Sequence, residues 1–380
     1  MDVAVSPVAK AELLAPAFTA RAGEHDRSGS FPFENFQDLS DAGLLSLTVP
    51  RVFGGSGAGL AEASRVVGIV GKACPSTALV LTMHYLHHLL IEKDGGWPAH
   101  LARKLAVESV DGLALVNALR VEPEQGSPSR GGLPATTAHR TATGWRISGR
   151  KIYSTGSPIL KYYAVWAKTD EPGVRVGIFL VPAGLPGTEI IETWDHLGLR
   201  ASGSHDVVFS DVVIPLDHEV DLRPPGDWLP VRSSQPVAQA AILGSLYDGV
   251  ARAARDWLVT FVQNRAPSSL GAPLATLARV QEIVGDIEIK LAVNARLIGS
   301  IADDFDSGVD ITSMQANIVK STVTNNAIAV VEQALSLAGN HGLSRKNPLE
   351  RHFRDVLCGR IHTPQDDSTR ISAGRLALGL

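Results

Sequence analysis

The central part of this chain carries the residues WRISGRKIYSTGSPILKYYAVWAKT at 145–169, GIFLVP at 177–182 and WDHLGLRASGSHDVVFSDVVIP at 194–215. Short runs rich in β-branched and aromatic residues alternate there with Gly, Ser and Pro. This alternation is typical of antiparallel strands joined by turns. The segment therefore predicts a small β domain.

Helical periodicity marks both flanks of this segment. The ranges with apolar residues at helical spacing are Phe33–Leu44, Ala61–Lys72, Ser76–Ile91, Gln235–Gln263, Leu277–Asp306, Ile311–Ala338 and, more briefly, Pro348–Ile361. Long helices with short links indicate a bundle after the β segment. We predict an α+β fold with an N-terminal helical domain, a central antiparallel β-barrel-like domain and a C-terminal four-helix bundle, over residues 1–111, 112–220 and 221–380.

Composition limits the classes of partner. The 380 residues include 39 acidic and 35 basic side chains, a formal net charge of -4 that gives no reason to expect nucleic acid. Cys74 and Cys358 are too few for a disulfide scaffold or a thiolate metal site. The chain shows neither an apolar run long enough for a membrane span nor a signal-peptide pattern. We expect a cytoplasmic protein.

Three histidines lie close together in a helical range of the first domain. The sequence Met-His-Tyr-Leu-His-His covers residues 83–88, so His84 and His88 share one helix face. This spacing suits zinc, but neither a neighbouring Glu nor a third ligand is evident, and we expect no metal. Imidazole exchanges protons near neutral pH, which makes both residues candidates for the lining of an organic active site. Ordinary hydrogen bonding in a buried helix is the alternative.

Polar residues interrupt the predicted strands. Asn117 lies in the first strand, where its amide can satisfy backbone groups or hold a substrate or an oxygenated intermediate. A later strand ends at three residues that can contact a bound planar cofactor, Tyr153, Ser154 and Thr155. A tyrosine in such a place is more often part of the core. The segment at residues 198–204, which ends in Ser204, offers further hydroxyls and free backbone N–H groups.

The order of domains and two β-domain motifs resemble the acyl-CoA dehydrogenase flavoproteins over nearly the whole chain. GRKIYSTG is similar to that family's flavin-contacting strand, which implies that Tyr153 and Thr155 lie beside the isoalloxazine ring. LGLRASGSHDVVFSDVVIP is similar to the family's most recognisable β-domain segment, which contributes Ser204. The resemblance implies a flavin cofactor, FAD with FMN as the other possibility.

Two bundle motifs extend the resemblance. Arg265 stands where the family has the Arg of an R-x-x-F-G motif, which reaches the cofactor diphosphate of a neighbouring subunit, although the Phe-Gly pair is missing here. LAGNHGLSRKNPLERHFRD is similar to the family's Gly-Gly-x-Gly loop and Arg-Asp helix, which implies cofactor contacts at Gly339, Asn340 and Gly342. Because such a cofactor lies partly between subunits, we expect a homotetramer or a homodimer.

The sequence departs from the family at the positions of the catalytic base, and this bears on which reaction the chain can catalyse. A dehydrogenase needs a carboxylate to remove the α proton of the thioester while flavin N5 takes the β hydride. The place of that Glu is taken by Thr363, and the family's alternative position reads Arg-Ser-Ser-Gln-Pro, with Ser233 and Ser234. Asp366 and Asp367 follow closely, and we expect them on a solvated turn.

His362 before Thr363-Pro364 resembles the ending found in flavin-dependent monooxygenases of this fold, such as the dibenzothiophene monooxygenase group. The loop SRGGLPATTA at residues 129–138 resembles that branch as well. The resemblance implies an enzyme that uses reduced flavin and O2 to oxygenate a small organic substrate through a C4a-(hydro)peroxyflavin. The catalytic candidates are His362, His84, His88, Asn117 and Ser154.

The hypothesis includes a separate reductase that supplies the reduced flavin. No G-x-G-x-x-G fingerprint is evident, so we do not expect NAD(P)H to bind in its usual way. Two alternatives stay open at this point. One is an acyl-CoA dehydrogenase that oxidises an acyl thioester with FAD and an atypical base. The other is a relative that keeps the flavin but has lost the chemistry.

Overall fold

A computed structural model describes residues 5–124, 132–228 and 234–380. Within them, five helices precede a β-sheet: α1 (Pro7–Ser28), α2 (Phe33–Asp41), α3 (Leu60–Ala73), α4 (Pro75–Asp94) and α5 (Ala99–Asp111). Six helices follow the sheet: α6 (Gln235–Asn264), α7 (Ala278–Asp306), α8 (Ser313–Ala338), α9 (Asn340–Leu343), α10 (Leu349–Leu357) and α11 (Asp366–Leu378).

The sheet between the helical parts is mostly antiparallel. Its strands are β1 (Leu115–Leu119), β2 (Thr137–Arg140), β3 (Trp145–Ser154), β4 (Leu160–Thr169), β5 (Val176–Pro182), β6 (Thr188–Ile191), β7 (His205–Ile214) and β8 (Glu219–Arg223). The strand order is β6-β7-β3-β2-β4-β5-β8, and β1 pairs with β4 beside this path. Only β1 and β2 run parallel to β4 among the described pairings. The predicted α+β architecture is confirmed, and the described sheet is open, with β6 and β8 at its edges.

Local sequence signals account for several helix ends. Ser6 caps α1, its hydroxyl accepting from the backbone N–H of Ala9 at 3.2 Å, and Gly29 ends the helix with φ 71. Thr312 and Gln315 form a capping box at the start of α8. These short-range contacts satisfy N–H and C=O groups that helix ends would leave unpaired.

Glycines allow α3 and α6 to pack closely across the two helical parts. A Cβ on Gly249 would lie 2.4 Å from the carbonyl oxygen of Gly68, and a Cβ on Gly71 would lie 2.8 Å from that of Leu246. Side chains at these positions would force the two helices apart, since close-packed interiors hold no spare volume. The contact therefore sets the position of α6 against the first helical part.

A buried ion pair lies in the β part. Lys151 of β3 is 0% exposed and Glu122 is 2% exposed, with Nζ 2.6 Å from Oε1. Lys151 also donates to the carbonyl of Trp166 at 2.5 Å. Glu122 accepts from the backbone N–H groups of Ala135 and Thr136, at 2.5 and 3.0 Å. Each charge has several partners, which is the condition under which a buried pair is tolerated.

Replacing Lys151 with Met is expected to lower the free energy of unfolding by about 3 kcal/mol, because the carboxylate of Glu122 would stay buried without its cation. Urea denaturation at pH 7 measures the change. The double variant Lys151→Met/Glu122→Gln is the matched control and should recover most of the loss, since it leaves no unpaired charge. Equal losses in the single and double variants would show that packing, not charge, explains the effect.

Candidate functional site

The end of β3 has a distorted backbone. The register between β3 and β7 shifts between Lys151 and Ser154, and Tyr153 has φ 56. A positive φ in a bulky residue costs about 1–3 kcal/mol, and such strain clusters at functional sites. The Tyr153 side chain is 52% exposed. Its ring lies edge-on to Trp194 and His196, whose own rings stack at 3.7 Å. The distortion thus presents an aromatic surface.

This aromatic surface borders a pocket of about 140 Å³. Its lining residues are Ile152, Tyr153, Thr193, Trp194, His196, Ser204 and Asp206. Tyr153 and Ser204, which the sequence predicts as cofactor contacts, therefore line one pocket. Trp194 and His196 were not predicted, because nothing in their local pattern separates them from an ordinary loop.

A chain of hydrogen bonds connects β1 with the segment before β7. Asn117 Nδ2 donates to the carbonyl of Thr155 at 2.9 Å. The Thr155 hydroxyl lies 2.9 Å from that of Ser204, which lies 2.8 Å from that of Ser202. Ser154 has a buried hydroxyl without a hydrogen-bond partner among the described residues. The structure thus brings Asn117, Thr155 and Ser204 into one cluster.

His84 and His88 are buried in α4. His84 Nε2 donates to the carbonyl of Leu45 at 2.9 Å, and its Nδ1 accepts from the N–H of Val116 at 3.4 Å. Burial lowers the pKa of His84 to about 4 and that of His88 well below its ordinary value. His88 Nε2 lies 3.2 Å from the hydroxyl of Ser109. Both rings are neutral at pH 7, and His84 connects the first helical part to β1.

His362 lies in the turn between α10 and α11. Its Nε2 is 2.7 Å from the hydroxyl of Tyr247 on α6. Burial, and to a smaller extent the charge of Lys320, lowers the pKa of His362 to about 4. Burial raises the pKa of Tyr247 well above its ordinary value, so both groups are uncharged at neutral pH. Among the described residues, no hydrogen bond joins His362 to Asn117, Thr155 or Ser204 directly.

The expectation of a solvated turn is wrong for Asp366. This residue begins α11, and its carboxylate accepts from the hydroxyl of Ser321 at 2.8 Å and from Nδ2 of Asn325 at 2.7 Å. Partial burial by itself raises the pKa of Asp366, but the hydrogen bonds from Asn325 and Ser321 lower it below its ordinary value. Asp367 is exposed in the same helix turn. Local sequence did not reveal these contacts because their partners lie on α8.

A second pocket, of about 340 Å³, lies where the end of α6 meets the segment around α9. Its lining residues are Trp257, Thr260, Phe261, Asn264, Arg265, His341 and Asn347. Arg265 is therefore brought to the Gly339–Gly342 segment, to which His341 belongs. Asn340 is exposed, and Gly342 is buried, where a Cβ would lie 3.0 Å from the side chain of Leu335.

Two residues beside His362 were not predicted from the sequence. Lys320 shares a face of α8 with the buried Ala316, Val323 and Ala327, at helical spacing. A lysine on an apolar face is a signal that could have identified it. Tyr247 lies on the buried face of α6 and has no local feature that separates it from the core.

Some predicted positions lie outside the described residues. They include Ser233 and residues 129–131 of the loop at 129–138. Ser234 is described, and its backbone N–H donates to the carboxylate of Asp94 at 3.1 Å. In the part of the chain that the structure describes, no three or more His, Cys, Asp or Glu residues group so as to hold a metal ion. No helix in those same ranges is long and apolar enough to cross a membrane.

Similarity to the domains of known proteins identifies the class of this chain. The N-terminal, middle and C-terminal domains of acyl-CoA dehydrogenases match residues 9–95, 120–212 and 241–366. The helices and sheet described above, with these three matches, define a flavin-dependent oxidoreductase. The chain belongs to the acyl-CoA dehydrogenase family.

Individual relatives span nearly the whole chain. "Putative acyl-CoA dehydrogenase YdbM" of Bacillus subtilis (strain 168) is 33% identical, over 93% of this chain and 92% of its own length. The L-evernosamine nitrososynthase of Micromonospora sp. is 30% identical, over 96% of this chain and 88% of its own. The solved structure of KijD3 with FMN and a dTDP-amino-keto sugar is 28% identical, with a TM-score of 0.84, covering 99% and 95% of the two chains.

Proposed function

We propose that this chain is a flavin-dependent monooxygenase that uses reduced flavin and O2 to oxygenate a small organic substrate. The observation that carries the proposal is the geometry at residues 362–366. The neutral imidazole of His362, hydrogen-bonded to Tyr247, directly precedes Thr363, the position at which the family resemblance expects a dehydrogenase base. The nearby carboxylate of Asp366 is engaged by Ser321 and Asn325.

The carboxylate of Asp366 is poorly suited to abstract a proton. Its hydrogen bonds stabilise the charged form and lower its pKa, and a weak base accepts a proton less readily. Thr363, which stands in the position of the family's Glu, has no carboxylate at all. Oxygenation needs no carboxylate at this place, because neutral hydrogen-bond donors can bind oxygen atoms.

The residues around the smaller pocket suit a planar heteroaromatic cofactor. The exposed ring of Tyr153 offers a stacking surface. The hydroxyls of Thr155 and Ser204 can bind ring carbonyl and N–H groups. Flavin, when bound and reduced, supplies the electrons that activate O2. Asn117 holds the Thr155 backbone, and thereby orients the residues that would contact the ring.

The larger pocket favours FAD over FMN. Arg265 is the cationic side chain in its lining, and guanidinium groups bind phosphate oxygens in a bidentate manner. Asn340 and the small residues Gly339 and Gly342 let a phosphate-bearing ligand approach the backbone. We propose that a partner subunit's cofactor reaches this pocket in a homodimer or homotetramer, and that a separate reductase supplies the reduced flavin.

The relatives supply support for oxygen transfer. A nitroso group is an amine nitrogen that has gained oxygen, and the L-evernosamine nitrososynthase carries that product in its name. The KijD3 structure combines FMN with a sugar nucleotide that bears an amino group. An amine or a heterocycle is therefore a suitable substrate class to test.

Acyl-CoA dehydrogenation is the second candidate, because the relative at 33% identity bears the name of an acyl-CoA dehydrogenase. Such an enzyme must transfer a hydride from its thioester to the flavin without O2. Asp366 would have to leave Ser321 and Asn325 to act as the base.

Stopped-flow absorbance separates the two reactions. The protein is loaded with chemically reduced flavin and mixed with oxygenated buffer. A monooxygenase should lose reduced-flavin absorbance first and regain oxidised-flavin absorbance after a lag, which His362→Ala should shorten by about tenfold or more. The control His100→Gln, at an exposed histidine, should keep the lag.

Anaerobic addition of butyryl-CoA or octanoyl-CoA to the oxidised holoprotein completes the comparison. The proposal predicts no bleaching of the flavin. Single-phase reoxidation without a lag, together with bleaching by an acyl-CoA, would overturn it and support the dehydrogenase.

A further inference from the structure

A buried tyrosine joins α6 to the turn that carries His362. Tyr247 is 1% exposed, and its hydroxyl oxygen lies 2.7 Å from His362 Nε2. The two residues are 115 positions apart in the chain. Gly359, whose Cβ would lie 3.2 Å from the Tyr247 ring, allows the turn to approach α6 this closely. The pair is thus held by the packing of α6 against the end of α10.

The direction of this hydrogen bond follows from the partners available. Among the described residues, the Tyr247 hydroxyl has no other hydrogen-bond partner. Were Nε2 to carry the proton and donate, the tyrosine proton would be left buried and unpaired, which is costly. If Tyr247 donates instead, Nε2 accepts and the ring proton resides on Nδ1. His362 is only half-buried, and its Nδ1 has no hydrogen-bond partner in the described part of the chain.

The backbone of the same turn is held separately. Lys320 Nζ, on α8, donates to the carbonyl of His362 at 2.7 Å and to that of Pro364 at 3.1 Å. Burial lowers the pKa of this lysine, but the ammonium keeps two carbonyl oxygens as partners. The ring and the backbone of His362 are therefore held by different helices.

We propose that Tyr247 is a positioning residue that fixes the His362 ring in the tautomer with its proton on Nδ1, where it can donate to a ligand oxygen atom, while Lys320 holds the turn. The role rests on the proposed function, in which His362 contacts the oxygenated ligand. The tautomer itself does not depend on that function. A histidine tautomer is set by the hydrogen bond that its other nitrogen makes.

Other ionisable groups near the pair do not replace this contact. Asp366 on α11 and Lys320 on α8 lie beside the turn, and Asp355 and Cys358 lie on the side of α10. None of them forms a hydrogen bond with either the Tyr247 hydroxyl or the His362 ring in the described residues. The tautomer is therefore expected to depend on Tyr247.

Magic-angle-spinning NMR of the full chain, labelled with ¹⁵N-histidine, tests the proposal, because ¹⁵N shifts distinguish protonated from unprotonated ring nitrogens. The signals lost in His362→Gln identify the residue. In the wild-type protein the Nδ1-protonated form should exceed the Nε2-protonated form by about fivefold or more, the effect of one net hydrogen bond. Tyr247→Phe should bring the two forms within about twofold of each other.

Tyr162→Phe is the matched control, since Tyr162 donates to Glu108 far from His362 in sequence, and it should leave these signals unchanged. An Nε2-protonated His362 in the wild-type protein would overturn the proposal even if Tyr247→Phe failed to fold. Unchanged signals in a folded Tyr247→Phe variant would overturn it as well. If NMR shows the expected tautomer but the stopped-flow reaction with O2 shows no lag, only the proposed function is contradicted.

Discussion

Replacing Arg354 with Met is expected to lower the free energy of unfolding by about 5 kcal/mol, at the upper end of the range for a buried pair that loses one partner. The guanidinium binds Asp26 of α1 through two hydrogen bonds, at 2.9 and 2.6 Å. It also donates to Glu350 at 2.8 Å and to the carbonyl of Leu197 at 2.9 Å. One side chain thus connects α1, α10 and the segment before β7.

The environment explains why this loss should be large. The side chains of Arg354 and Asp26 are 18% and 12% exposed. Partial burial by itself lowers the pKa of the Arg354 guanidinium, but its hydrogen bonds to Asp26 and Glu350 raise the pKa above its ordinary value. Without the arginine, two carboxylates would remain close together and poorly hydrated.

Chemical denaturation of three variants measures the effect. Arg354→Lys keeps the positive charge but loses the planar guanidinium, which donates two hydrogen bonds to one carboxylate. Its free energy of unfolding should therefore fall by about half as much as that of Arg354→Met. Arg27→Met is the control, because its pair with Glu24 is exposed and should contribute less than about 1 kcal/mol. A loss at Arg354 no larger than that at Arg27 would contradict the structural role.

Acidification from pH 6 to pH 5 is expected to lower the free energy of unfolding by about 4 kcal/mol. Burial lowers the pKa values of His84 and His362 to about 4. It lowers the pKa of His352 to about 3 and that of His88 well below 6.5. An unfolded histidine titrates near 6.5. Between the two values the unfolded chain binds more protons, so stability falls as the pH falls.

The magnitude follows from the number of protons. Each of the four histidines contributes about 1.4 kcal/mol per pH unit in this window, or about 5.6 kcal/mol together. Asp355 acts in the opposite direction, since burial raises its pKa to about 6 and the folded chain then binds the extra proton. That carboxyl offsets about 1.4 kcal/mol per pH unit, which leaves a net slope of about 4 kcal/mol per pH unit.

His352→Leu isolates one of these histidines. The Nδ1 atom of His352 is buried and has no hydrogen-bond partner in the described residues, so its removal should change stability at pH 7 by less than about 1 kcal/mol. Denaturation between pH 7 and pH 5 should give a slope lower by about 1.4 kcal/mol per pH unit. The exposed control His100→Gln should keep the wild-type slope. If the free energy of unfolding changes equally with pH in the wild-type protein and in both variants, the inference that His352 is buried and neutral is contradicted.

The sequence predicted the main helices and strands because their signals are local. Helical spacing in Gln235–Gln263 and Ile311–Ala338 corresponds to α6 and α8 within a few residues. The strand that ends near Tyr153 was also predicted, and its contacts with the rings of Trp194 and His196 were not. Those contacts depend on the register between β3 and β7, which no single strand specifies.

The sequence predicted individual residues of the site but not the contacts between them. Asn117, Thr155 and Ser204 were named from separate motifs, and folding alone connects them through hydrogen bonds. Their catalytic and cofactor-binding roles stay predictions, as do those of His84 and His88. Asp366 was assigned to the wrong environment, because its partners belong to α8.

The sequence by itself determined the order of helical and β parts and the family, since periodicity and motifs are properties of neighbouring residues. Only the tertiary structure decided which polar groups meet. Tyr247 and His362 are 115 residues apart, and Arg354 and Asp26 are 328 apart. Contacts over such separations depend on how whole helices pack, and that packing results from many side chains that carry no motif.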